Sequence, residues 1–348
     1  MDRLRKPVAV DLFCGCGGLT YGMRKAGIQV LAGIDSDPKF KETYEINNSG
    51  VVYINRDIRT LAGKEVKRIF GGHEGPRILA GCAPCQPFSN MNREKSELHR
   101  DYSLLLEFGR IVREVRPDGI IMENVPQLAS RGKEIFEKFL DAVHDVGLVE
   151  NYEPNVDFAS YGIPQHRRRM VLVASRKKPV LPRQLYGPEG KYSFVTVKKT
   201  IGRYPAIGNG NIDRTNLYHS TKRLSPINIE RLKVTPHNGG SRKDIPVSLW
   251  IKTHKTHPGH GDTYGRMKWN EPAPTLTTKC ISITNGRFAH PDQDRGISVR
   301  EAAALQTFPD KYLFRLGLQD VQRCIGNAVP PLIAWKLSIS LLRSLSQT

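Results

Sequence analysis

The loop Gly81-Cys82-Ala83-Pro84-Cys85-Gln86-Pro87-Phe88-Ser89 sets a cysteine between prolines. Proline fixes φ and disfavours helix, so Cys85 reads as an accessible thiol. The thiolate is the nucleophilic form and needs access and positive surroundings. A buried, inert cysteine is the commoner fate of this residue, and the polar sequel 89–100 argues against it here. Such a segment could close over a substrate. A carboxyl, Glu123, follows the apolar run 119–122 in Glu123-Asn124-Val125. Alone it suits a hydrogen bond; beside a nucleophile it suits proton donation. Ahead of another apolar run stands Gln165-His166-Arg167-Arg168-Arg169, and three successive arginines fit a solvated turn or a phosphate contact.

A further constellation is Asp11-Leu12-Phe13-Cys14-Gly15-Cys16-Gly17-Gly18. Glycines between a strand and a helix let a ligand approach the backbone, and free N–H groups there suit an anion. The loop lacks the G-x-G-x-x-G spacing of dinucleotide sites, and a plain tight turn explains it equally well alone. Asp35, ending the next strand, suits a ribose diol, and Asp57, after the third, suits an adenine amino group. The three together fit an adenosine-containing cofactor. Cys14-x-Cys16 and Cys82-x-x-Cys85 could instead make a four-sulfur zinc site, or the second pair a redox dithiol. Neither alternative explains Glu123 or the arginines. His254, His257 and His260 have Lys, Thr, Pro and Gly neighbours and suit a phosphate-contacting loop or solvated turn more than a metal.

The elements that must position these residues alternate. Strand-like runs at 8–13, 30–34, 51–54, 77–80, 119–122 and 170–174 are interleaved with helical patterns at 19–26, 39–47, 103–115 and 134–146. This alternation predicts an α/β fold with a mostly parallel, doubly wound sheet. Functional groups then lie at the carboxyl ends of its strands, where Asp35, Asp57, Cys85 and Glu123 all fall. Residues 180–290 are rich in Gly, Pro, Asn, Thr and basic side chains, and read as a second, irregular domain. Helices resume at 298–306 and 331–345.

The chain carries a formal charge of +19, and its placement is uneven. Residues 181–290 hold 18 basic against 6 acidic side chains, an excess of 12, while 1–180 hold 28 against 23. A solvated basic face is one reading; concentration in a third of the chain points to a polyanion such as nucleic acid. No apolar run approaches the ~20 residues that cross a bilayer, and no signal-peptide core precedes Val8-Ala9-Val10. The expectation is a cytoplasmic protein.

In order and content these motifs resemble the DNA cytosine-5 methyltransferases of prokaryotic type, over nearly the whole length. The glycine loop, Pro84-Cys85-Gln86-Pro87-Phe88-Ser89, Glu123-Asn124-Val125 and Gln165-His166-Arg167-Arg168-Arg169 resemble that family's early motifs. Arg300-Glu301-Ala302-Ala303-Ala304-Leu305-Gln306-Thr307-Phe308-Pro309 and Ile325-Gly326-Asn327-Ala328-Val329-Pro330-Pro331 resemble its last two. The ordered set is far more specific than any member. Pro272-Ala273-Pro274-Thr275-Leu276-Thr277 carries a Thr-Leu pair similar to one in the family's target-recognition domain.

The resemblance implies a Rossmann-like S-adenosylmethionine-dependent fold, with 1–180 and 318–348 as catalytic domain. A smaller, irregular, β-rich target-recognition domain and hinge would span 181–317. It implies that Cys85 adds to C6 of a flipped cytosine while Glu123 acts at N3. Arg167 would brace base and thiol, with Arg169 in support. S-adenosylmethionine would be held by Phe13, Gly15, Gly17, Gly18, Asp35, Asp57, Ile58, Pro84, Leu104, Asn327 and Val329, without a metal. Double-stranded DNA would meet Ser89, Arg168, Thr275 and Leu276. A monomer is expected, paired with a cognate restriction endonuclease system without direct contact. Cys14 and Cys16 depart from the small or apolar residues that would serve in the glycine loop. Ser36 follows Asp35 where a larger side chain could stack on adenine. A noncatalytic DNA-binding protein and an RNA-modifying relative are the rival readings. Intact Cys85, Glu123 and Arg167 disfavour the first, and the length of the basic domain disfavours the second.

Overall fold

A five-residue strand, Val8–Leu12 (β1), is buried along its whole length and lies in the middle of a seven-stranded sheet. The computed structural model describes residues 6–84, 95–251 and 261–346, with the backbone alone over 95–103. Two compact units emerge: 1–161, 168–184 and 328–348 form the first, and 162–167 with 185–327 the second.

The first unit alternates as expected. After β1 come α1 (Gly18–Lys25), β2 (Gln29–Asp35), α2 (Lys41–Asn47), β3 (Val52–Asn55), α3 (Gly63–Phe70), β4 (Arg77–Gly81), α4 (Lys95–Val115), β5 (Gly119–Asn124) and α5 (Lys133–Asp145). A hairpin, β6 (Val149–Asp157) and β7 (Arg168–Ser175), follows. The strand order is β3-β2-β1-β4-β5-β7-β6. β1 to β5 pair in parallel, whereas β7 runs antiparallel to both β5 and β6. The order reverses direction between β1 and β4, which opens a crevice at their carboxyl ends. The glycine loop leaves β1 on one side of that crevice, and Cys82-Ala83-Pro84 leaves β4 on the other.

Strands covered on both faces need continuous apolar runs, which Val8-Ala9-Val10 and Ile120-Ile121-Met122 supply; all six are fully buried. From α4, Phe108, Ile111, Val112 and Val115 pack into the same core. The final helix of the chain, α10 (Pro331–Leu345), packs on α1. Contact is close at Gly22, where a Cβ would collide with Ala334 and with the backbone at Pro331.

One sequence expectation changes here. Residues 95–100 were read as part of a polar loop and instead begin α4. They alternate charge along a helix rather than carrying the apolar stripe that periodicity detects. The region 318–345 is apolar enough to be weighed as a membrane span. It is nevertheless two helices, α9 (Leu318–Asn327) and α10, broken at 328–330 by the turn before Pro331, and most of it is buried.

The second unit departs from the expected β-rich domain. Among its described residues the pairings are isolated bridges, such as Ile212 with Ser220 and Arg266 with Ala289. Short helices α6 (Val197–Ile201), α7 (Pro226–Val234) and α8 (Val299–Leu305) punctuate the loops. A small core of Leu232, Ile245, Tyr264, Ile283 and Ala289 holds the middle. With few ladders, many backbone carbonyls need other partners. Buried arginines supply them: Arg266 donates to the carbonyls of Leu232, Thr235, His290 and Gln293 and pairs with Asp294. Arg295 grips Glu301 with two bonds of 2.8 Å, and Arg300 donates to the carbonyls of Pro309 and Tyr312.

Candidate active site

At the carboxyl edge of the sheet, β4 and β5 run side by side with Gly81 opposite Met122. The next residues, Cys82 and Glu123, are therefore neighbours. The Cys82 thiol donates to Oε2 of Glu123 at 2.8 Å. Arg169, near the start of β7, brings its Nε to 3.2 Å from Oε1 of the same carboxylate. Glu123 is 3% exposed, and its buried Oε1 accepts no hydrogen bond among the described residues. An acceptor left in that state is costly, so Oε1 has capacity for a further donor. Next in the chain, Asn124 donates from Nδ2 to the carbonyl of Ala83 at 3.2 Å and accepts the Val125 amide at 2.8 Å. It thereby fixes the backbone just ahead of half-buried Pro84. Cys85 and Ser89 lie outside the described residues, as do His254, His257 and His260.

Across the crevice the glycine loop turns through three left-handed residues, Phe13 (φ 61°), Gly15 (φ 49°) and Gly17 (φ 92°). Phe13 is the unusual member, because side chains rarely adopt such φ; its ring meets Phe108 edge-on at 6.5 Å. The Gly15 amide donates to Oδ2 of Asp35 at 2.9 Å, and the Asp37 amide to Oδ1 at 2.9 Å. The loop and the end of β2 are thus tied together. A Cβ placed on Gly15 would meet no atom within 4 Å, so the cradle in front of that backbone is open. Gly18 opens α1. Asp57 caps the turn at Ile58–Thr60 and is gripped by Arg59, with the closest approach 2.6 Å. That bond holds its carboxyl below the usual range. Its expected adenine contact would have to share it with Arg59. Ile58 is buried, and Ile58 and Leu104 pack against the core beside Phe13.

Two groups here were not singled out from the sequence. Asp11 is fully buried within β1 and accepts from Thr20 at 2.6 Å, and Thr20 also bonds Tyr44 at 2.8 Å. Burial pushes the Asp11 carboxyl up to about 7. The available signal was a lone acid inside an apolar strand. The spacing around Cys82 suggests a metal or a redox dithiol; only the parallel register reveals its carboxylate partner.

The arginines divide between the units. Arg169 belongs with the sheet; Arg168 is exposed, and Arg167 is 2% exposed in the second unit. Arg167 donates to the carbonyls of Leu276 (3.2 Å) and Gly326 (3.1 Å). Gln165, fully buried, donates to Gln306 at 2.6 Å and accepts the Leu276 amide at 2.8 Å. Thr275 donates to the carbonyl of His166 at 2.6 Å. Leu276 is fully buried, so its side chain is spent on packing rather than offered to DNA. Asn327 is exposed, and Val329 is buried in the first unit. Of the 18 basic residues counted in 181–290, Arg231, Arg242 and Arg266 are buried, so the charge excess overstates the basic surface.

Among the described residues no group of three or more His, Cys, Asp or Glu is placed to hold a metal. A hollow of about 240 Å³ lined by Arg24, Gln29 and Ser49 lies at the opposite, amino edge of the sheet, away from this chemistry.

The C-5 cytosine-specific DNA methylase family model matches residues 8–342. The chain is 40% identical over 345 residues to the Type II methylase M.HgiDII of Herpetosiphon aurantiacus, covering 97% of this chain and 95% of that protein. It is 29% identical to the Type II methyltransferase M1.HphI of Haemophilus parahaemolyticus, over 96% and 86% of the two chains. Among solved structures, a DNA modification methyltransferase encoded within an E. coli prophage superposes with a TM-score of 0.77. That match covers 98% of this chain and all of the other at 24% identity, and speaks for the fold.

Proposed function

The chain belongs to the C-5 cytosine-specific DNA methylase family, and from that premise we propose how its own residues methylate cytosine in duplex DNA. The observation that carries the reading is the Glu123 carboxylate, buried between Cys82 and Arg169 at the strand end beside Ala83-Pro84. Cytosine C5 is a weak nucleophile. Addition of the Cys85 thiolate to C6, with Glu123 hydrogen-bonding or protonating N3, makes C5 enamine-like. General-acid help of this kind is worth ~10²–10⁴-fold. Once C5 has taken the methyl group, loss of its proton to water or hydroxide reforms the C5–C6 double bond and expels Cys85 as thiolate, and N3 returns its proton to Glu123. Arg169 steadies Glu123 directly, while Arg167 fixes the carbonyls of Leu276 and Gly326 within the second unit.

The open glycine cradle and the Asp35 carboxylate tied to it fit S-adenosylmethionine. Phe13, Gly15, Gly17, Gly18, Asp35, Asp57, Ile58, Pro84, Leu104 and Val329 of the first unit would hold it. When bound, this cofactor supplies an electrophilic methyl group. We assign cofactor and chemistry to the first unit, and target recognition to the second. The exposed basic residues of 181–290, with Arg168, Ser89 and Thr275, would track phosphates and read base edges. The target base must leave the stack, at a few kcal/mol. Relatives named as Type II methylases support a role beside a restriction endonuclease.

Bisulfite sequencing of DNA from cells expressing the protein tests both reaction and site. A single protected cytosine in a fixed sequence is expected. Cys85→Ser should abolish methylation and covalent trapping on 5-fluorocytosine DNA, whereas retained trapping would mean another nucleophile. Transfer of label from S-adenosylmethionine to RNA but not DNA would overturn the reading.

A further inference from the structure

Cys82 has a position and a partner that the covalent chemistry does not use. Its thiol donates to Oε2 of Glu123 at 2.8 Å, while Oε1 has only the Arg169 guanidinium at 3.2 Å and no hydrogen bond among the described residues. The carboxylate is therefore held unequally. One oxygen is occupied by an uncharged donor and the other retains an unused lone pair. Packing alone does not require this arrangement, since an apolar side chain would fill the space without contacting a carboxylate.

We infer that Cys82 is a positioning residue that occupies Oε2 and so makes Oε1 the oxygen that meets the target base. The inference rests on the proposed role of Glu123 at N3 of the cytosine. A carboxyl group can rotate and exchange its oxygens, and a fixed donor on one of them removes that freedom. The geometry is set by the sheet. Gly81 is opposite Met122 in the parallel pairing of β4 and β5, so the following residues face each other without help from a loop. The chemical identity of the donor matters as well. A thiol is an uncharged, weak donor, so it orients the carboxyl group without placing a second cation beside that of Arg169. Arg169 attracts the anion, and Cys82 orients it.

Single-turnover methyl transfer to duplex DNA, measured for wild type, Cys82→Ala, Cys82→Ser, Glu123→Gln and Cys82→Ala/Glu123→Gln, tests this. Cys82→Ala should slow transfer roughly ten-fold, as expected for one lost hydrogen bond to a charged group. The dissociation constants for DNA and S-adenosylmethionine should change less than about two-fold. Cys82→Ser keeps a donor and should recover most of the rate. In the Glu123→Gln background the Cys82→Ala change should cost little more, because the two residues act as one unit. An equal loss from Cys82→Ala with and without Glu123, or equal rates for the Ala and Ser variants, would overturn the inference. A lowered melting temperature accompanied by weaker binding of both ligands would assign Cys82 to the fold instead. If Glu123→Gln itself left the rate unchanged, the failure would belong to the proposed function of Glu123 and not to Cys82 alone.

Discussion

Arg169 meets Glu123 because β7 runs antiparallel to β5: Asn124 lies opposite Met170, so the beginning of β7 reaches the edge where β5 ends. A parallel seventh strand would have carried the arginine to the far edge of the sheet. The pair has a direct consequence for the arginine cluster, whose three members look alike in the sequence. Arg169→Ala should slow methyl transfer by at least about ten-fold through loss of the charge beside the carboxylate. Single-turnover kinetics would check it, with melting temperature nearly unchanged.

Arg167→Ala should behave differently. Its guanidinium is buried on the carbonyls of Leu276 and Gly326, and removal leaves those acceptors unsatisfied. A loss of about 2 kcal/mol of stability is expected, read as a lower denaturation midpoint before any kinetic effect is interpreted. A stable but slow Arg167→Ala protein would instead return this residue to the reacting base.

Asp35→Ala should weaken S-adenosylmethionine binding at least about ten-fold, since the substitution removes a hydroxyl partner and also frees the Gly15 amide it orients. Asp35→Asn should be intermediate. Isothermal calorimetry on the purified protein would read both, and equal affinities across the three proteins would exclude the carboxylate from the cofactor site.

Asp11 predicts a pH effect with a defined sign. Its carboxyl is raised from an ordinary 3.8 to about 7, chiefly by burial. Below about pH 4 it is protonated both folded and unfolded and carries no penalty. Between about 4 and 7 the unfolded chain ionises while the folded one holds its proton, so its contribution to stability falls as pH rises. Asp11→Asn removes that slope. The variant should gain on wild type by a few kcal/mol at most from pH 5 to pH 8, seen as a widening difference in melting temperature. A constant difference would show that Asp11 is not protonated in the folded protein.

DNA affinity should fall steeply with salt, and exposed Arg168 should contribute to the slope. Arg168→Ala should reduce it by about one phosphate contact. Arg266→Met, by contrast, should lower the melting temperature and leave the slope unaltered, because Arg266 is fully buried. Filter binding across a salt series separates the two.

Much of the sheet was legible because β1, β4, β5 and most of β7 are buried on both faces and carry apolar runs. The register that aligns Cys82 with Glu123 was not, since periodicity identifies a strand without giving its neighbour or its direction. The same gap hid the division of labour between Arg167 and Arg169. In the second unit, composition correctly marked an irregular region, yet it suggested strands where the structure has isolated bridges. Charge counting likewise treated Arg231, Arg242 and Arg266 as surface, because a count has no burial in it. The glycine loop and Asp35 were readable together because both stand at the carboxyl end of a strand.

The arginine struts of the second unit bear on how such a protein can diversify. A region braced by a few side chains reaching to main-chain oxygens demands little from the stretches between them. Arg266, Arg295 and Arg300 each bind carbonyls, and a carbonyl is present whatever residue bears it. Intervening segments can therefore be swapped or lengthened while the brace persists. Grafting residues 205–225 from a relative with a different target, with those three arginines retained, is the exchange this construction tolerates best.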